Sequence, residues 1–152
     1  MSDLRDLYQE VIIDHNRRPH NFGPLPQTTH RAEGFNPLCG DKLTVYLNLA
    51  DGVIQAANFE GEGCAISTAS ASLMTDALKG KTVAEAEAMF RSFHALVTGE
   101  AQASEASEMM PLGKLEVLAG VQEFPVRVKC ATLAWHTLHA ALHDQTGPVT
   151  TE

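Results

Sequence analysis

Basic residues are scarce in this chain: 11 Lys and Arg stand against 19 Asp and Glu, for a net charge of −8. Nucleic-acid binders neutralise phosphates with clustered bases, so that class is excluded as a reading of the whole chain. The adjacent pair Arg17-Arg18 is too short to reverse the balance. A surface of this sign attracts basic partners and repels acidic ligands. Long apolar runs are also missing. With no stretch of about 18 apolar residues, no membrane span is expected. The first residues, MSDLRDLYQE, are charged and lack the apolar core of a signal peptide, which predicts a cytoplasmic protein. Cysteine is rare as well, with three in 152 residues. An odd number of thiols in a reducing compartment argues against a disulfide frame and for metal or redox chemistry.

What is present fits one folded unit. Apolar residues make up 44% of the chain, enough for a hydrophobic core. Residues 1–145 are expected to form a single domain and residues 146–152 a flexible C-terminal tail. Leu4, Leu7, Tyr8, Val11, Ile12 and His15 recur at helical spacing and predict a helix over 3–16. His15 lies on the apolar stripe and is expected to be a satisfied core residue. A loop follows over 17–28. Leu43, Val45, Leu47 and Leu49 alternate with polar residues, which predicts a strand with one buried face. Asp51-Gly52 marks a hairpin, with a return strand over 53–60. Residues 30–35 supply a third strand. Cys64 opens a helix rich in Ala and Ser that stops at Gly80. Thr82 and Glu85 match a capping box for a helix ending near Val97. The polar segment 98–112 reads as a mobile loop, and 113–120 as a short helix. A final helix is expected to open at Cys130 and to run to about His143.

Placed on this outline, Cys64 and Cys130 each occupy a predicted helix N-terminus, where free N–H groups and the macrodipole favour thiolate. Cys39 sits in the connection NPLCGD, with Asp41 two residues on. If the hairpin packs against both helices, Cys39, Asp41, Cys64 and Cys130 meet at one end of the sheet and make a tetrahedral set suited to Zn²⁺. The dispersed spacing also allows three ordinary buried cysteines, since free cysteine is among the most buried residue types.

Four local words narrow the choice: YQEVIIDHNRRPHNFG (8–23), NPLCGD (36–41), FEGEGCAIS (59–67) and KCATLAWHTL (129–138). In this order they resemble the U-type iron–sulfur assembly family, the IscU/SufU-like proteins. The resemblance implies an α+β fold of the SufE/NifU-like (IscU-like) kind, a small three-stranded antiparallel sheet packed on one side by helices. It implies that Cys39, Asp41, Cys64 and Cys130 hold the metal or cluster. In the cluster-scaffold branch a histidine precedes the last cysteine, where this chain has Lys129; the additional segment 98–127 also looks like the SUF-system branch. That branch implies a zinc-dependent sulfurtransferase. Its sulfur comes as persulfide from a PLP-dependent, SufS-like cysteine desulfurase and passes to a downstream SUF scaffold or apo iron–sulfur proteins. A histidine of the desulfurase is implied to replace Cys39 on the metal, leaving Cys39 as the acceptor, with Cys130 the second candidate. A scaffold holding a [2Fe–2S] cluster on the same ligands is the alternative. Arg127 and Lys129, flanking Cys130, are expected to offset the negative charge of the set.

His136, His139 and His143 share one face of the last helix at metal-binding spacing. The opposite face carries Ala131, Ala134, Trp135, Leu138, Ala141 and Leu142, so the histidines are expected to face solvent.

Overall fold

The structure is a computed structural model that describes residues 2–37, 40–98, 115, 118, 121, 124–143 and 149–150, with backbone alone for 2–9 and 149–150. Helix α1 spans Ser2–Arg17. Three strands follow, β1 (His30–Asn36), β2 (Asp41–Ala50) and β3 (Val53–Glu62), then helices α2 (Ala65–Leu78), α3 (Val83–Thr98) and α4 (Pro125–Leu142). A two-residue strand, β4 (Val149–Thr150), closes the described chain.

The sheet order is β3-β2-β1-β4, and the first three strands are antiparallel. Period-two patterning sets the register: Leu43, Val45 and Leu47 of β2 are buried, and the residues between them are more exposed. Asp51 and Gly52 both adopt positive φ, +55° and +75°. That pair of conformations makes the tight turn whose twist suits a hairpin, and Gly52 takes it without strain. The register slips between Asn48 and Leu49, where β3 carries one extra residue.

Helix α4 lies on β1 and β2, and α2 packs on β3, on α1 and on α4. Close approach of α4 depends on Gly34: a Cβ there would sit 2.0 Å from Thr137 Oγ1 and 3.1 Å from Leu133 Cδ1. The small residues of α2 serve the same end. Buried Ser70 donates to the Ala131 carbonyl at 2.6 Å and accepts the Trp135 indole N–H at 3.2 Å. Trp135 stacks on Phe93 with ring centres 4.8 Å apart, joining α3 to α4 over the core. Leu115, Leu118 and Val121 are buried in the same core.

The predicted capping box forms as read: Glu85 N–H donates to Thr82 Oγ1 at 3.1 Å, and Thr82 N–H to Glu85 Oε1 at 2.9 Å. His15 is buried, its Nδ1 2.6 Å from Ser72 Oγ. The predicted mobile loop over 98–112 and the short helix over 113–120 fall, apart from Thr98, Leu115 and Leu118, outside the described residues. Two expectations are corrected. Residues 149–150, expected within a flexible tail, pair in parallel with Gly34 and Phe35 of β1, an edge whose backbone groups would otherwise lack a strand partner. The last helix begins at Pro125, five residues before Cys130, because proline at the first helical position presets φ and sacrifices no hydrogen bond. Among the described residues no helix is long and apolar enough to cross a membrane.

Candidate metal centre

Three elements bring chemistry to one end of the sheet. Asp41 opens β2 with its side chain on the buried face, in phase with Leu43 and Val45, and is fully buried. Burial of a carboxylate needs compensation. Part of it comes from the Cys64 backbone N–H, which donates to Asp41 Oδ1 at 2.8 Å. Cys64 is the N-cap of α2. Its sulfur accepts the Ser67 N–H at 3.4 Å and lies 3.8 Å from Asp41 Oδ2. A sulfur at this position meets the N–H groups of the first turn that lack helical partners.

Cys130 arrives from α4 and is fully buried. It stands in the second helical turn, so the N-terminal dipole argument made for it from sequence does not apply. Other groups face it instead. The Asn36 side-chain amide donates toward Cys130 Sγ at 3.8 Å. Arg127 lies one turn earlier, on the same side of α4 as Cys130. Its guanidinium, on an exposed side chain, is held above its ordinary pKa by charge attraction to Cys64 first and Cys130 second, with a smaller opposing cost of desolvation. Lys129 precedes Cys130 by one residue, which on a helix turns its side chain about 100° away. Among the described residues the Lys129 side chain makes no hydrogen bond or ion pair.

One donor atom from each of Asp41, Cys64 and Cys130 lies within 4.8 Å of the other two. Two sulfurs and a carboxylate oxygen at such separations are a donor set for a borderline-soft cation, and Zn²⁺ fits it. Cys39, the fourth residue expected here, lies outside the described residues. Around it, Asn36 pairs with Asp41 across the β1–β2 connection, and the Gly40 N–H donates to the Asn36 carbonyl at 2.9 Å.

The sequence reading missed Asn36. The signal was available, because extending the alternation of Ala32 and Gly34 by two residues puts Asn36 on the buried face of β1. The solvent-facing expectation for the three histidines of α4 holds for His143, which is exposed, and is corrected for His136, which is half-buried against α3: His136 meets the Phe90 ring edge-on at 5.3 Å, the partly exposed His139 stacks on it at 5.3 Å, and His143 bonds Glu87.

The family model for the NifU-like N terminal domain matches residues 7–131. The chain belongs to that family. It is 40% identical to the zinc-dependent sulfurtransferase SufU of Bacillus subtilis, over 96% of each chain. It is 42% identical to the iron–sulfur cluster assembly scaffold protein IscU of Streptococcus pyogenes, over 93% of this chain and 86% of that one. Among solved structures, a candidate SUF-system cluster assembly scaffold from Fervidobacterium islandicum superposes with a TM-score of 0.75 at 33% identity, covering 88% of this chain and 94% of the other. The NifU-like fold expected from the sequence is therefore the fold observed.

Proposed function

We propose that this protein serves iron–sulfur cluster assembly as a zinc-dependent sulfurtransferase. It takes persulfide sulfur from a PLP-dependent cysteine desulfurase and relays it to a downstream scaffold or apo iron–sulfur protein. The observation that carries the proposal is the meeting of Asp41, Cys64 and Cys130 donor atoms within 4.8 Å. The SufU relative, named for zinc and sulfur transfer, supports it.

Cys39 completes the ligand set in this reading. Two trans peptide steps of ~3.8 Å keep its Cα within about 7.6 Å of the Asp41 Cα. Bound by Cys39, Asp41, Cys64 and Cys130, Zn²⁺ would keep the thiols deprotonated at neutral pH. The chain's own groups do the rest. Arg127 offsets the surplus negative charge of three thiolates and a carboxylate. Asp41 fixes Cys64 through its backbone N–H, and Asn36 orients the Cys130 sulfur.

Cys39 is the acceptor in this scheme. Cys130 is fully buried on a helix, and the Cys64 sulfur is tied to Ser67 N–H. The Cys39 thiolate attacks the terminal sulfur of the desulfurase persulfide, Cys–S–SH. A sulfur–sulfur bond forms on Cys39, the one on the desulfurase breaks, and its cysteine leaves as thiolate. Lys129 is adjacent in the chain to this site and is left as solvated charge. Exposed Phe35, Phe124 and Val126 are close in the chain to Asn36 and Arg127 and offer apolar contact to a docking partner.

The test is transfer from a desulfurase loaded with labelled persulfide. Wild type and Cys130→Ser are expected to take up label, and Cys39→Ser is not. Undiminished uptake by Cys39→Ser would remove the acceptor assignment. A second reading, scaffolding of a [2Fe–2S] cluster as cargo on the same ligands, is favoured by the 42% identity to the S. pyogenes IscU. Anaerobic purification separates the two: a scaffold absorbs in the visible, and a zinc protein is colourless.

A further inference from the structure

A second group of ligating side chains lies at the far end of α4. Glu87 of α3 and His139 and His143 of α4 place one donor atom each within 4.8 Å of the other two. The two histidines are four residues apart, on one helix face, the spacing by which a helix offers two imidazoles to one cation. His143 Nε2 touches Glu87 Oε1. His139 Nδ1 is 4.0 Å from the same oxygen.

His139 Nδ1 is the atom that needs explaining. It is shielded from solvent and has no hydrogen-bond partner among the described residues, although the ring as a whole is partly exposed. A buried polar atom left unpaired is costly, and an ion is one of its ordinary explanations. A separation of 4.0 Å is too long for a hydrogen bond. It suits a shared cation better, since two bonds of ~2.1 Å span about 3.4 Å at the tetrahedral angle and at most ~4.2 Å. In the tautomer protonated on Nε2, Nδ1 keeps its lone pair directed at that gap. Stacking on Phe90 fixes the ring plane. A different cluster, His15, His20 and Asp76, lacks this feature: its nitrogens already meet Ser72 Oγ at 2.6 Å and Asp76 Oδ2 at 2.5 Å.

We propose that Glu87, His139 and His143 form a second cation site, for a borderline divalent transition metal such as Zn²⁺, Ni²⁺ or Co²⁺, that clamps α3 to α4. Two imidazoles and one carboxylate suit these metals better than Mg²⁺ or Ca²⁺. Three protein ligands leave a fourth position for water. The site is independent of the thiol centre, because 13 residues at 1.5 Å per residue put His143 about 20 Å along α4 from Cys130. Both histidines must be neutral to bind the cation.

The test uses the full chain with zinc already bound at the thiol centre. Co²⁺ is titrated in while the visible and near-ultraviolet spectra are recorded. The expected result is one further equivalent bound, with visible ligand-field bands and no sulfur-to-cobalt charge-transfer band. In His139→Gln/His143→Gln and in Glu87→Gln, affinity for that equivalent should fall at least ten-fold, with the zinc content unchanged. Zn²⁺ should also raise the melting temperature of wild type more than that of either variant. Equal Co²⁺ affinity in wild type and both variants overturns the proposal and leaves an ordinary His143–Glu87 ion pair. So does a charge-transfer band accompanying every bound equivalent, which would place all the cobalt on cysteine.

Discussion

The backbone N–H of Cys64 donates to Asp41 Oδ1 at 2.8 Å, so the first residue of β2 holds the N-cap of α2 in place. One carboxylate thereby orients a candidate ligand and serves as another. The two roles separate by substitution. Asp41→Asn keeps an oxygen for the Cys64 N–H and loses the charge, whereas Asp41→Ala loses both. Asp41→Ala is expected to cost about 1 kcal/mol in urea unfolding of the metal-free protein, from the part-buried Cys64 N–H left unpaired. Asp41→Asn is expected to cost clearly less, yet to lose zinc to a chelator nearly as readily. Equal stability loss in both would show that the N–H contact is not what the carboxylate contributes.

Arg127 is the cation that faces both described sulfurs. Arg127→Ala is expected to release zinc at a higher pH during acid titration, because thiolates without a neighbouring cation protonate more readily. Arg127→Lys should fall between, since a lysine keeps the charge and loses the planar fork. Lys129→Ala should leave the release midpoint unchanged. The readout is zinc captured by a colorimetric chelator as pH is lowered; a midpoint indifferent to Arg127→Ala would separate this residue from the site.

His136 titrates below its ordinary value of 6.5, chiefly through burial and then through repulsion from His94 and His139. Its folded pKa is depressed, so the protonated form is disfavoured in the native state. The stability is then complete above the unfolded value and is lost as pH falls through 6.5 toward the folded one. His136→Gln should flatten the drop in urea midpoint between about pH 7.5 and about pH 5.5 relative to wild type. A drop of identical size in both proteins would assign the acid sensitivity elsewhere.

Gly34 admits α4 to the sheet. Gly34→Ala would bring its Cβ to 2.0 Å from Thr137 Oγ1, and the expected destabilisation is about 1–3 kcal/mol, as for other overpacked cores. Thr137→Ala in the same chain should recover part of that loss, which a double-mutant cycle measures. Additive effects would show that the two sites do not press on each other.

Much of this architecture is legible residue by residue. The alternation Leu43, Val45, Leu47 marks β2, Asp51-Gly52 marks the turn, and Thr82 with Glu85 marks the start of α3, because each of these signals acts within a few residues of chain. The start of α4 differs from the expected one: Pro125 at the first helical position fixes φ and sets the boundary, whereas a cysteine places no such constraint on the backbone. For His136 of α4 the sequence predicts a place in solvent, because the opposite helix face reads as core, whereas it packs edge-on against Phe90. Sequence periodicity shows one apolar face and cannot show that a neighbouring helix, carrying Glu87, Phe90 and His94, covers the flank of the other.

By itself the chain determined its elements, the buried faces of its strands and the residue types capable of holding a thiophilic metal, since periodicity, turn chemistry and side-chain chemistry are local properties. Only the tertiary structure decided that donor atoms of Asp41, Cys64 and Cys130 converge within 4.8 Å, that Asn36 and Arg127 stand beside them, and that His139 has a shielded nitrogen without a partner among the described residues. Those are distances between residues remote in the chain, set by how α2, α3 and α4 pack on one another and on the sheet.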